Sequence, residues 1–160
     1  MSDGSTVSRR DVLRNIALAA TLGGIPLEAA QHVHHAATEE KKITGVYKPK
    51  AFNEHEYATL RQLAALILPS DDSGKGALDG GAPEFIDLLS SQSSEMLDIY
   101  TGGIAWIDRE MEDRYGASFV QAKPEQQTAF LDKIAFKKSA EAEPALGPGI
   151  QFFAWIRKMV

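Results

Sequence analysis

Three of the chain's four histidines stand together in His32-Val33-His34-His35. Imidazoles at that density bind copper, zinc or nickel, so His32, His34 and His35 are the candidate metal ligands. A stable site needs its ligands held at fixed geometry by further hydrogen bonds. These three lie in a polar stretch with no sustained period, and a solvated tail is the competing reading. A second cluster, "SDDSGKGALDGG" from Ser70, places Asp71, Asp72 and Asp79 among glycines, a faint calcium signal. The EF-hand spacing with its closing glutamate is absent, and Lys75 is not followed by the Ser or Thr of a phosphate-binding loop. Aspartates in such a loop mostly cap backbone groups or face water. The third cluster, Asp108, Arg109, Glu110, Glu112, Asp113 and Arg114, offers acids and bases together, but a charge run on the back of an amphipathic helix is usually a solvated face. His55 falls in the first turn of a predicted helix, where burial is not expected. The chain contains no Gly-x-Ser-x-Gly, no His-Glu-x-x-His and no dinucleotide fingerprint. No catalytic, metal or cofactor-binding residue is assigned on these grounds.

The elements that would position such residues read as helices. In "NEHEYATLRQLAALILP", Asn53 and Glu56 form a capping-box pair, apolar residues from Tyr57 to Ile67 recur at helical spacing, and Pro69 stops the run. A loop rich in glycine and aspartate follows, and Pro83 opens the short helix "PEFIDLLS". From Glu95 to about Tyr115, Met96, Tyr100, Gly103, Ile107 and Met111 keep a 3.6-residue period. Gly102 and Gly103 cost about 1 kcal/mol each inside a helix, and close contact with another helix is the favoured explanation. Glu110 and Arg114 make an i,i+4 pair. Gly116 closes this helix, Pro124 opens "PEQQTAFLDKIAF", and Lys133, Lys137 and Lys138 suit its C-terminus. "GPGIQFFAWIRKMV" supplies a last helix. No segment alternates like a half-buried strand, so the expected fold is all-α, a small irregular bundle of about five helices with an extended N-terminal arm.

Upstream, Ser8-Arg9-Arg10-Asp11-Val12-Leu13-Arg14 precedes about a dozen weakly apolar residues broken by Gly23, Gly24 and Pro26. A spanning helix needs roughly 20 apolar residues, so this run is too short for one. A basic pair, a modest apolar region and small residues after it make an export signal. The heptapeptide resembles the twin-arginine consensus, with Val12 and Arg14 in place of Phe and Lys. The expected organisation is a signal peptide over 1–30, a linker or arm over 31–52 and a helical domain over 53–160. The chain carries a formal charge of −5; an acidic balance argues against nucleic acid as a partner. It has no cysteine, which excludes disulfides, thiolate metal sites and thioether-linked haem in this chain.

The segments "LRQLAALILPSDDSGKGALDGGAPEFIDLLSS", "YTGGIAWIDREMEDRYGASFVQAKPEQQTAFLDKI" and "GIQFFAWIRKMV" together resemble the gluconate 2-dehydrogenase subunit 3 family over roughly residues 51–157. The shared features are a helix ending in Ile-x-Pro, a Gly-Ala loop, the Pro-Glu-Phe-Ile-Asp start, Gly-Gly-Ile-Ala, Tyr-Gly-x-Ser-Phe and Pro-Glu-Gln-Gln. The resemblance implies a noncatalytic small subunit with no cofactor of its own. It also implies a flavoprotein partner of the glucose-methanol-choline (GMC) type, which carries FAD and oxidises an alcohol of a sugar, polyol or sugar acid. A cytochrome c subunit often accepts the electrons. The small subunit would bring the export address, through Arg9 and Arg10, for both chains, and the complex would be periplasmic and membrane-associated. Many relatives continue beyond the Phe-Phe helix, whereas this sequence ends at Val160.

Aromatic side chains with no helical stripe to join are the natural anchors for such a partner. Tyr47 and Phe52, in the arm "ITGVYKPKAF", meet that description. The long loop and helix start "PSDDSGKGALDGGAPEFI" adds Asp71, Asp72 and Phe85, although Phe85 and Ile86 suit core packing by their helical context. The rival expectation is a free-standing periplasmic binding protein, using the histidines for metal or a pocket lined by Trp106 and Trp155 for a small molecule.

Overall fold

Local signals decide where each helix begins. The first, α1 (Glu54–Ile67), starts at a complete capping box: the Asn53 side chain accepts the Glu56 N–H and the Glu56 carboxylate accepts the Asn53 N–H, both at 2.9 Å. Helix α2 (Ala82–Ser90) follows Gly81, whose φ of 74° lies in the left-handed region that glycine enters without strain. Helix α3 (Ser94–Tyr115) is capped by Ser93 and ends at Gly116, again left-handed at φ 73°. Helix α4 (Pro124–Ile134) has Pro124 at its first position, and the Gln126 side chain reaches back to the Lys123 N–H at 2.9 Å. A single turn, α5 (Ser139–Ala142), precedes α6 (Gly147–Met159). Short 3-10 turns occupy Phe119–Gln121 and Pro144–Leu146.

This computed structural model describes residues 47–72 and 75–160, and no strand occurs among them. The all-α expectation holds, with five longer helices and the one-turn α5 in addition among the described residues. Arg9, Arg10, His32, His34 and His35 lie outside the described residues. Helix α4 ends two residues sooner than "PEQQTAFLDKIAF" suggested, so Lys137 and Lys138 follow the helix rather than line its last turn.

At about 1.5 Å per residue, the 22 residues of α3 span about 33 Å, and the other long helices pack around it. Its buried face is Met96, Tyr100, Ile104, Ile107 and Met111, steps of four, four, three and four that track one stripe. Around that stripe close Leu60 and Leu63 of α1, Ile86 and Leu89 of α2, Phe130 and Ile134 of α4, and Phe152 and Ile156 of α6. Each such side chain contributes about 1.5–3 kcal/mol when taken out of water.

The α3–α6 contact depends on two glycines. A Cβ on Gly103 would lie 2.2 Å from the Phe152 ring, and one on Gly149 would lie 2.0 Å from the Trp106 ring. Each helix thus gives up a side chain where the other inserts an aromatic, and the insertion falls three residues after the glycine in both. The close-contact reading holds for Gly103. Gly102 meets nothing within 4 Å, so its absence of a side chain is not explained by packing.

Candidate functional site

The "PEFIDLLS" helix is short and buried along most of its length, and two of its buried residues are acids. Asp87 is fully buried and Glu84 is 1% exposed. A buried carboxylate is expensive unless every lone pair is matched. Asp87 is matched by residues 47–52. Its Oδ2 accepts the Tyr47 hydroxyl at 2.6 Å and the Lys50 N–H at 2.8 Å, and its Oδ1 accepts the N–H groups of Ala51 and Phe52 at 3.0 and 3.1 Å. The Tyr47 hydroxyl also reaches the Glu84 carbonyl at 3.4 Å.

Tyr47 and Phe52 therefore do not stand outside the core, which corrects the expectation drawn from their lack of a helical stripe. They are 6% and 5% exposed. The Tyr47 ring lies 5.8 Å from that of Tyr57, and the Phe52 ring meets Tyr100 edge-on at 6.0 Å. An irregular segment can bury aromatics if its backbone donors are satisfied, and Asp87 satisfies three of them. Packing of the helical domain accordingly extends back to residue 47 rather than beginning at 53.

Beside this seat, Arg61 of α1 approaches the Glu84 carboxylate at 3.7 Å. Burial, reinforced by the Glu84 charge, pushes the Tyr57 phenol well above its ordinary value, and Arg61 works in the opposite direction. Phe85, on the same helix, is half-buried and packs against the core.

The loop between α1 and α2 is closed by its own groups. The Ala77 N–H bonds the Leu68 carbonyl at 2.9 Å, and Asp79 Oδ2 accepts both the Ser70 hydroxyl and the Gly76 N–H, at 2.5 and 3.0 Å. These bonds, the Ser70 hydroxyl first, hold the Asp79 carboxyl below its ordinary value. A Cβ on Gly76 would fall 2.5 Å from the Ser70 nitrogen, so only glycine fits this closure. Asp71 and Asp72 are exposed on the loop.

The charge run on α3 divides. Arg109, Glu112 and Asp113 face solvent as expected, but Asp108, Glu110 and Arg114 fasten other elements. Asp108 Oδ1 accepts the Phe119 N–H at 2.9 Å while Oδ2 pairs with His55 Nε2 at 2.6 Å, tying α3 to the 3-10 turn and to the start of α1. Arg114 donates to Glu110, as the i,i+4 spacing implies, and also to Glu143 in the chain before α6. Both carboxylates raise the Arg114 guanidinium further, and the Glu143 carboxyl is held low by Arg114. The guanidinium also lies 5.9 Å from the centre of the Phe130 ring.

Trp106 and Trp155 are separately engaged. Trp106 packs on Gly149 and 6.0 Å from Phe130. Trp155 lies beside Tyr100, whose phenol burial raises far above its ordinary value. Among the described residues no group of three or more His, Asp or Glu side chains could hold a metal ion, and no helix is long and apolar enough to cross a membrane.

Sequence reasoning missed Asp87, the residue that organises the N-terminal side of the domain. The available signal was two acids three residues apart, Glu84 and Asp87, on a nine-residue helix otherwise apolar from Phe85 to Leu89. That spacing puts both on one face, and a face with acids on so apolar a helix needs donors from elsewhere.

Comparison with known protein families adds a match. The family model described as gluconate 2-dehydrogenase subunit 3 matches residues 54–160, which contain all six helices found among the described residues. No curated protein and no solved structure matches the chain.

Proposed function

Because the chain belongs to the gluconate 2-dehydrogenase subunit 3 family, we propose that it is the noncatalytic small subunit of a periplasmic, FAD-dependent dehydrogenase complex. It binds and stabilises a GMC-type flavoprotein and escorts it through twin-arginine export. The flavoprotein holds the FAD and oxidises an alcohol of a sugar, polyol or sugar acid, and a cytochrome c subunit takes the electrons. The family match over residues 54–160 carries this reading. The motif around Arg9 and Arg10 supports the export part: flavin loading requires a folded site, and a route that carries folded chains lets one address serve two proteins. The fates of Asp79, Asp87, Asp108 and Glu110, each spent on a hydrogen bond within the fold, support a scaffold rather than a reaction centre.

Affinity purification of the tagged full-length chain from its native host tests the proposal. A yellow FAD-containing protein is expected to copurify from the periplasm, and Arg9→Lys with Arg10→Lys should leave both chains in the cytoplasm. A colourless, monodisperse monomer overturns the accessory role. Normal periplasmic levels of the flavoprotein in the double variant overturn the escort role alone.

A further inference from the structure

Phe136 is 64% exposed, whereas the large apolar side chains that precede it in α4, Phe130, Leu131 and Ile134, are buried. Helical phase is the cause. Ala135 keeps helical dihedrals (φ −70°, ψ −25°) at the end of α4, so a position two residues past Ile134 is carried about 200° round the axis, to the side away from the core. The backbone beneath the ring is nonetheless fixed. The Phe136 carbonyl accepts the Ser139 N–H at 3.0 Å, and the Lys137 and Lys138 carbonyls accept the Ala140 and Glu141 N–H groups, both at 3.1 Å. This turn is pinned in the chain between buried Ile134 and buried Leu146.

Exposure of one ring means little by itself, but this ring stands in a distinct electrostatic setting. Lys133, Lys137 and Lys138 are exposed beside it in the chain, against exposed Asp132 and Glu141. A further acid, Glu143, is taken up by Arg114. The same sign extends over α4 to α6: six bases and four acids give residues 123–160 a formal net charge of +2, whereas six bases and thirteen acids give residues 47–122 one of −7. The subunit is charge-polarised, and its most exposed aromatic stands in the basic part. Resting on the accessory-subunit reading above, we propose that Phe136, with Lys133, Lys137 and Lys138 around it, is the anchor by which this chain docks on the flavoprotein large subunit, seated in an apolar pocket that the partner rims with carboxylates. Interfaces concentrate their energy in a few such buried aromatics, with rim charges that steer encounter and reject wrong partners. A turn already fixed in the free chain loses little freedom on binding. A lipid surface fits less well: a helix binds there through a whole apolar face, and the apolar residues of α4 are turned into the core while α5 is a single turn.

Photo-crosslinking in the native host tests the contact. With p-benzoylphenylalanine in place of Phe136 in the tagged full chain, irradiation should join it covalently to an FAD-containing protein, and mass spectrometry should place the joined peptide in an apolar segment flanked by Asp or Glu. The same probe in place of Asp98, exposed on α3 in the acidic part, should give no such product. Phe136→Ser should lower the flavoprotein retained on the tagged chain from whole-cell extract by roughly tenfold or more, and Lys137→Glu with Lys138→Glu should lower it by a factor that shrinks as salt is added. Both free variants should keep the parent's far-UV circular dichroism and Tm, since the changed side chains are exposed. A Phe136→Ser chain that retains the flavoprotein at the parental level overturns the docking site alone and leaves the accessory role standing. A parent chain that retains none overturns that role and the docking site with it. A Phe136→Ser chain that melts well below the parent assigns the ring to the fold and overturns the docking site, as does binding of the free chain to phosphatidylglycerol vesicles that needs Phe136 while the complex does not.

Discussion

Gly102 and Gly103 are neighbours on one helix and should respond to alanine with opposite signs. At either site alanine raises helix propensity by about 1 kcal/mol. At Gly102 nothing lies within 4 Å, so that gain stands alone and Gly102→Ala should stabilise the fold. At Gly103 the new methyl would lie 2.2 Å from the Phe152 ring, more than 1 Å inside the 3.4 Å at which ordinary contact begins. The ring cannot swing aside freely, being buried and set edge-on to Tyr100 at 5.9 Å. Forcing a methylene into a packed core costs about 1–3 kcal/mol, and so severe an overlap belongs at the top of that range. The net for Gly103→Ala is then about 2 kcal/mol destabilising, after the propensity gain. For a domain of this size 1 kcal/mol corresponds to about 4 °C, so the two variants should melt on opposite sides of the parent, about 8 °C below and about 4 °C above. Thermal and urea unfolding followed by circular dichroism would measure both. Phe152→Leu combined with Gly103→Ala should recover about 1 kcal/mol or more relative to additivity. If both glycine variants stabilise alike, or the double variant is additive, α3 and α6 do not meet as described here.

Asp108→Ala should cost about 1–3 kcal/mol in urea unfolding, because it leaves the Phe119 N–H without its acceptor and frees His55; a change within error would mean that water replaces the carboxylate. The Asp79 carboxyl is held below its ordinary value of 3.8, so its contribution to loop closure is fully present above that pH and is lost as pH falls through the lowered folded value. Gly76 amide protection followed by NMR should fall on acidification, and Asp79→Asn should abolish the change; protection that rises on acidification refutes the assignment. Treating the purified chain with a chelator should leave helicity and Tm unchanged, since no metal-binding group occurs among the described residues. A large drop in Tm would make ligands of His32, His34 and His35.

Helix boundaries were legible because their causes are local. Asn53 and Glu56, Pro124, Gly116 and the Glu110–Arg114 pair act within one turn, and the chain spacing alone puts donor next to acceptor. The core stripe of α3 was legible for a similar reason, since a 3.6-residue period reports which face is apolar. The role of single charges was not. Asp108 and Arg109 are adjacent in one charge run, yet one fastens two other elements and the other faces water. Helical phase separates such residues only when it is known what lies opposite.

The sequence by itself therefore determined an all-helical chain with its caps, its breaks and its main apolar face, and it carried the family resemblance in the order of those same features. Tertiary structure alone decided that Tyr47 and Phe52 belong to the core, that Asp87 gathers donors from 35 to 40 residues away, and that Gly103 makes room for Phe152. Caps and periods are energies of adjacent residues, fixed once the chain is written. The satisfaction of a buried carboxylate, or the room for a ring, depends on which segments the packed helices bring face to face, and no local spacing encodes that.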